Sequence, residues 1–214
     1  MTLNPTSTGG WQVLFTYIYE GIYHILIGLD HLLFIGLLIL PSVLVVRQRQ
    51  WQHVASFRPA LMNLLKVITA FTVAHSITLS LAVLGIVDLP SRLVESAIAA
   101  SIILLAVNIL YPLLTHDQWK LAFGFGLLHG FGFASVLMDL EMPRAALAEA
   151  LLGFNLGVEM GQLLLVLLVF PLVYVLRTHK LYRTQFLYAS AVFALVVSGI
   201  WFVERAFDTR LLWS

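Results

Sequence analysis

Six long apolar stretches limit the folds that this chain can adopt. A transmembrane helix needs about 20 consecutive, mostly apolar residues. Stretches of that kind cover residues 21–46, 60–87, 93–114, 120–138, 146–176 and 185–203. Runs such as LLLVLLVFPLVYVL (163–176) do not alternate between apolar and polar residues, as the strands of a membrane barrel do. The sequence therefore predicts an all-α, polytopic membrane helix bundle with about six transmembrane helices.

The composition agrees with a bilayer as solvent and excludes several kinds of site. Charged residues make up 11% of the chain, against about 25% in a typical soluble domain. The net charge is +1 and no basic run is present, so we expect no nucleic-acid partner. The absence of cysteine excludes disulfides and thiolate metal ligands. The oligomeric state is not predicted.

The positions of the basic residues predict the orientation. Lys and Arg concentrate in the first and fifth loops, at Arg47, Arg49, Arg58, Arg177, Lys180 and Arg183. By the positive-inside rule these loops face the cytoplasm, which puts both termini outside. The first residues lack the features of a cleaved signal peptide. We therefore expect a multi-pass protein of a bacterial-type inner (cytoplasmic) membrane, with an interfacial segment at 1–20, a transmembrane domain at 21–204 and a tail at 205–214.

The segment HILIGLDHLLF (24–34) places three ionisable groups within eight residues of an apolar helix. Such groups cost about 2.5–3.5 kcal/mol each at membrane depth and usually face a bundle interior. On a straight helix His24 and His31 lie within about 20° of each other, whereas Asp30 points about 100° away from His31. We interpret the two histidines as metal ligands and Asp30 as a carboxylate that tunes a histidine ring. The alternative is a local distortion of the helix at Gly28.

Other predicted spans carry further polar groups. His75 lies in FTVAHSITLS, His129 lies among four glycines in FGFGLLHGFGFAS, and Glu159 shares a helix face with Asn155 and Gln162. With the N-terminus outside, these groups can meet in the outer half of the bilayer. The predicted metal ligands are His24, Asp30, His31, His75, His129 and Glu159. Imidazole and carboxylate without sulfur suit a divalent transition metal (Ni, Co, Zn or Fe) rather than Cu(I). A purely structural hydrogen-bond network remains the alternative.

The motif H-x5-D-H, within HILIGLDHLLFIGLLIL, resembles the HupE/UreJ family of small membrane proteins. The segments FTVAHSITLSLAVLG, FGFGLLHGFGFAS and GFNLGVEMGQL look like blocks of the family's second branch, so the resemblance covers about residues 20–170. It implies a nickel or cobalt permease. It also implies that His24, Asp30 and His31 recognise the metal, while His75, His129 and Glu159 fall at the family's other polar blocks.

Two functions follow from a metal site of this kind. A permease needs a path to the cytoplasm, and the inner halves of the predicted helices offer few polar groups for one. An intramembrane metal-dependent hydrolase, acting on a lipid or a membrane-embedded peptide, would need a metal-bound water and a general base, which Glu159 or Asp30 could supply. The metalloprotease motif HExxH is absent. A haem-binding or electron-carrying bundle is a third possibility.

Overall fold

The structure is a computed structural model that describes residues 10–48, 50–114, 117–133 and 144–209. Most of this chain is helical: α1 (Gly10–Ile27), α2 (Leu29–Ile39), a 3₁₀ turn (Leu40–Val43), α3 (Phe57–Val83), α4 (Ser91–Leu110), α5 (Gln118–Gly132), α6 (Arg144–Leu176), a π-helical turn (Tyr182–Phe186) and α7 (Leu187–Phe207). Two short strands, β1 (Leu44–Arg47) and β2 (Gln50–His53), form an antiparallel hairpin between the 3₁₀ turn and α3.

The described helices confirm the predicted all-α membrane bundle. Four are long and apolar enough to cross a bilayer: Phe57–Val83, Ser91–Leu110, Ala146–Leu176 and Tyr182–Phe207. A fifth span results if Trp11–Ile27 and Leu29–Val43, which meet at an angle of 73°, cross the membrane together as one broken helix. The described part of the chain therefore contains four or five spans, where the sequence predicted about six.

The differences lie at the first and fourth predicted spans. Residues 21–46 do not form one helix, because the chain bends at Gly28 and then enters β1 at Leu44. Helix α5 has 15 residues, which is short for a span; residues 134–138 of the fourth predicted span lie outside the described residues.

The predicted domain boundaries also differ from the helix ends. The boundary at residue 20 falls inside α1, which begins at Gly10, and the boundary at 205 falls inside α7. Residues 1–9, Arg49 and 210–214, which also entered the predictions, lie outside the described residues.

Glycines bring two pairs of helices into backbone contact. A Cβ atom added at Gly157 on α6 would overlap the carbonyl oxygen of Ile18 on α1, and one at Gly126 on α5 would overlap that of Phe71 on α3. Gly130 likewise lies against the His75 carbonyl oxygen. Small residues allow this close approach. In lipid, the van der Waals packing that results associates the helices, because the hydrophobic effect does not act between them. The α1–α6 and α3–α5 pairs form the frame that carries the histidines.

The hairpin packs against one end of the bundle. The buried Trp51 donates its indole N–H to the carbonyl oxygen of Ile109, at 3.0 Å. Tyr182 donates its hydroxyl to the Leu40 carbonyl oxygen at 2.7 Å, and Arg177 donates to the Val54 carbonyl oxygen at 3.1 Å. These bonds join the hairpin and the 3₁₀ turn to α4, to the residue that follows α6 and to the π-helical turn that precedes α7. This is the end that the basic residues assign to the cytoplasm.

We predict that Gly126→Ala destabilises the protein, whereas the matched control Gly124→Ala does not. Both substitutions raise helix propensity, but a Cβ at Gly126 meets the α3 backbone, while one at Gly124 meets nothing within 4 Å. Overpacking costs about 1–3 kcal/mol, so thermal unfolding in detergent should show a lower Tm for Gly126→Ala alone. Equal Tm values for the two variants would contradict the close packing of α3 and α5.

Candidate metal centre

The bend at Gly28 brings His24 and His31 into contact. Seven residues apart on a straight helix, the two rings would be separated by about 10 Å along the axis. In the structure their ring centroids are 4.4 Å apart, with the ring planes at 63°. His24 is the last-turn basic residue of α1, and His31 lies in the first turn of α2. The broken helix, and not only the helical phase of the motif, therefore places these two rings together.

Gly28 is required at the bend for steric reasons. Its backbone is extended (φ −68°, ψ 105°), a conformation open to any residue. A Cβ atom there, however, would lie 2.7 Å from Nδ1 of His31 and 2.8 Å from the His24 carbonyl oxygen. The missing side chain leaves the space that the His31 ring occupies.

Asp30 binds the ring of His31. Its Oδ1 lies 3.0 Å from Nδ1 of His31. An ionised carboxylate can only accept a hydrogen bond, so in this pair Nδ1 carries the proton, and in the neutral ring Nε2 is the nitrogen with the lone pair. This geometry is the one expected of a carboxylate that tunes a histidine ligand. The position of Asp30 in the first turn of α2 also suits the positive end of a helix dipole.

His129 on α5 is the third ring of the group. Its centroid lies 5.6 Å from that of His31, and the side chain is 2% exposed. Nδ1 of His129 donates to the Phe125 carbonyl oxygen at 2.9 Å, since a carbonyl can only accept. In the neutral ring, Nε2 is therefore the nitrogen with the lone pair. The His129 ring packs against Phe34 and Phe71, at centroid distances of 5.0 and 5.1 Å.

His75 on α3 lies behind two aromatic rings. Its own ring stacks near Phe71 and Phe154, at 6.1 and 6.4 Å. Phe71 also contacts His129, and Phe154 also contacts His24 at 5.3 Å. His75 is fully buried, and its Nδ1 lies 3.4 Å from Oδ1 of Asn155 on α6. Aromatic side chains thus connect His75 to the other histidines.

Glu159 lies away from this group. Its Oε1 accepts a hydrogen bond from Thr69 at 2.8 Å, and on the same interface Thr72 donates to Gln162 at 2.8 Å. Together with His75 and Asn155, these pairs make three polar connections between α3 and α6. The structure therefore brings together four of the six predicted ligands around one cavity of about 380 Å³, namely His24, Asp30, His31 and His129.

Four buried nitrogens of the same kind have no partner. Nε2 of His24, His31, His75 and His129 is inaccessible to solvent and makes no hydrogen bond within the described structure. Buried polar groups are nearly always satisfied, because an unmade hydrogen bond costs free energy. In the described ranges, no three His, Cys, Asp or Glu side chains already converge in an arrangement that could hold a metal ion.

Comparison with known proteins gives the family. A family model described as HupE / UreJ protein matches residues 3–205. The chain belongs to the HupE/UreJ family. This confirms the resemblance seen in the motifs and extends it from about residues 20–170 to nearly the whole chain, including α7. Searches of curated proteins and of solved structures found no match.

In this HupE/UreJ protein, the sequence did not indicate several residues of the cavity wall. Glu95 on α4 and Arg205 on α7 line the cavity with Trp201 and Phe133. Glu95 and Arg205 lie near helix ends, where charged residues are usually solvated, so their types and positions gave no signal of a site. Only the packing of α4 against α7 turns them toward the histidines.

We predict that Gly28→Ala weakens binding of Ni²⁺ or Co²⁺ by the purified protein at least tenfold. The added Cβ displaces the His31 ring from its place beside Asp30 and His24. Gly36→Ala on the same helix is the matched control, since a Cβ there meets nothing within 4 Å. Calorimetric titration would measure both affinities. An affinity of Gly28→Ala equal to that of Gly36→Ala would show that the bend does not shape a metal site.

Proposed function

We propose that this protein is a permease for a divalent transition metal, with nickel and cobalt as the first candidates. The observation that carries the proposal is the set of four buried imidazole nitrogens without partners, three of them on rings that contact one another in sequence from His24 to His31 to His129. Membership of a family linked to nickel and cobalt transport supports the choice of cargo.

The protonation of the rings suits metal binding. A histidine ligand must be neutral and must offer a lone pair, and the tautomer is fixed by what the other ring nitrogen binds. Nδ1 of His31 and Nδ1 of His129 are both held by oxygen acceptors, which leaves Nε2 as the donor to a metal. Binding of one ion by these rings requires rotations that turn their Nε2 atoms toward it, because the described side chains do not already converge. Nitrogen and oxygen ligands without sulfur suit Ni²⁺, Co²⁺ and Zn²⁺.

A series of polar groups supports movement of the ion toward the cytoplasm. Thr72 and Thr69 precede His75 on α3 by three and six residues, which is about 4.5 and 9 Å along the helix. Each is bonded to a polar residue of α6, Gln162 and Glu159 respectively. Oε2 of Glu159 is buried and has no partner in the described structure. This series leads from His75 toward the N-terminal end of α3, near the basic loop.

The same geometry gives less support to a hydrolase. One of its two candidate general bases, Glu159, is bonded to Thr69 and does not line the cavity of His24, His31 and His129. The other, Asp30, is engaged with the ring of His31. The series of polar groups beyond His75 has no role in hydrolysis at that cavity. Transport is therefore the function that these contacts favour.

Metal uptake tests the proposal. We expect His31→Ala to lower the accumulation of Ni²⁺ or Co²⁺ in proteoliposomes at least tenfold, because it removes the central ring of the group. His53→Ala is the control, since His53 lies exposed on β2. Uptake that is absent from the parent protein, or that is equal in the two variants, would refute the permease. Metal-dependent hydrolysis without uptake would favour the enzyme.

A second prediction concerns the carboxylate that binds His31. Asp30→Asn removes the charge that fixes the proton on Nδ1, and losing such a partner lowers metal affinity about 10–100-fold. Asp117→Asn is a suitable control. Asp117 lies just before α5, is exposed and pairs with Lys120. Calorimetry with Ni²⁺ and Co²⁺ would measure both variants. An unchanged affinity of Asp30→Asn would assign Asp30 to folding alone.

A further inference from the structure

Two cavities meet between α4 and α7. The first, here called the histidine cavity, is the space of about 380 Å³ lined by His24, Asp30, His31 and His129. The second, the outer cavity, has about 760 Å³ and lies at the N-terminal end of α4, beside Arg92, Asp208 and Thr209. The cavities share four lining residues, Leu29, Glu95, Trp201 and Arg205. These four residues therefore form the wall between the outer cavity and the histidines.

An ion pair lies in this shared wall. Nε of Arg205 donates to Oε2 of Glu95 at 2.9 Å, and both side chains are partly exposed. The guanidinium also lies over the ring of Trp201, 5.7 Å from its centroid. Arg92 donates to the carbonyl oxygens of Arg205 and Ala206, which fixes the end of α7 beside the start of α4. The position of the pair is thus set by both helices.

Carboxylates form part of the described lining of the outer cavity. Its lining includes three carboxylates, on Glu95, Glu204 and Asp208, and two guanidinium groups, on Arg92 and Arg205. Carboxylates that line a cavity attract cations and raise their rate of entry. Beyond the shared wall, the next carboxylate is that of Asp30 beside His31. Two of the rings in the histidine cavity, His31 and His129, are at least nine-tenths buried and have a free Nε2.

We propose that the outer cavity is the route by which a divalent cation reaches the histidines, and that Glu95 is its first ligand. Arg205 acts as a tethered cation that occupies Glu95 in the resting state. An incoming ion of double charge competes with the guanidinium for the carboxylate more strongly than a monovalent ion does, since Coulomb attraction scales with charge. Arg205 then turns toward the outer cavity, and the ion passes Leu29 to reach His31. The identity of the ion in this inference rests on the proposed metal transport. The route concerns only the access of cations from the outer cavity to the histidine cavity.

Cysteine labelling tests the route without any metal. The chain contains no cysteine, so Ala99→Cys introduces one reactive thiol on the wall of the histidine cavity. Ala99 is buried and does not line the outer cavity. Thr209→Cys, whose parent residue lines the outer cavity and not the histidine cavity, is the matched control. The rates of reaction with a cationic (trimethylammonium) and an anionic (sulfonate) methanethiosulfonate would be measured in nanodiscs.

We expect Arg205→Met to raise the cationic labelling rate of Ala99→Cys at least tenfold and that of Thr209→Cys less than twofold. Arg205→Met should raise the labelling rate of the anionic reagent at least fivefold less than that of the cationic reagent, because it leaves the Glu95 carboxylate unpaired. Arg205→Lys, which keeps the charge, should stay near the parent rate, which would assign the gain of Arg205→Met to the lost charge.

Two results would overturn the proposal. One is an Ala99→Cys rate that does not respond to Arg205→Met while Thr209→Cys still reacts. The other is an equal gain for both reagents, which would mean a general loosening without a role for Glu95. Neither result depends on transport. If nickel and cobalt uptake fails but labelling follows the expected pattern, the access route is correct and the permease function is wrong.

Discussion

The contact between His24 and His31 across the break at Gly28 is the interaction on which the site depends. It exists because one residue between two helices has no side chain, so the ring of His31 can occupy the place of a Cβ atom. The break also starts a new helix at Leu29, which puts Asp30 in its first turn and beside the ring that it binds. One backbone event thus positions two rings and a carboxylate.

The glycine contacts that pack the helices closely are also the contacts that position the histidines. Gly130 follows His129 directly and lies against the carbonyl oxygen of His75, so the glycine contact between α5 and α3 fixes both histidines. On the other side, Gly157 lies against α1 three residues beyond Phe154, whose ring contacts that of His24. In lipid, helix association depends on close contacts of this kind. The histidines are placed at these points.

The sequence could predict those features that are encoded by residues close together in the chain. The apolar stretches gave the membrane bundle, and H-x5-D-H with the later polar blocks gave the family, because neither depends on how helices pack. The sequence left the bend at Gly28 open, since a glycine in an apolar stretch allows a local distortion but is also compatible with a straight helix. G-x-D at a helix start is a usable signal, as Asp is favoured in a first turn.

Other features depended on contacts between distant residues and had no local signal. Strand β1 lies at the end of the first apolar stretch, which predicted a helix, and β2 lies in the polar stretch that follows. The place of this hairpin is set by the contact of Trp51 with Ile109. The pair of Glu95 and Arg205 joins residues 110 positions apart. Glu159 shares its sequence block with Asn155, yet it binds Thr69 and not a histidine, because α3 and α6 cross there. The helix face on which a residue lies does not show which residue of a neighbouring helix it contacts.

The aromatic rings around the histidines decide how the unpartnered nitrogens should be understood. Phe34, Phe71 and Phe154 are almost fully buried, and Phe133 stacks on Phe154 at 4.5 Å and contacts His24 at 4.4 Å. These four aromatic rings offer no hydrogen-bond partner, so a water held among them would find few of the two to four polar contacts that it needs. A divalent cation differs from water because it bonds to several lone pairs at once. The aromatic rings therefore raise the free-energy cost of leaving the imidazole nitrogens unpaired. For the same reason they favour a ligand that binds more than one of these nitrogens.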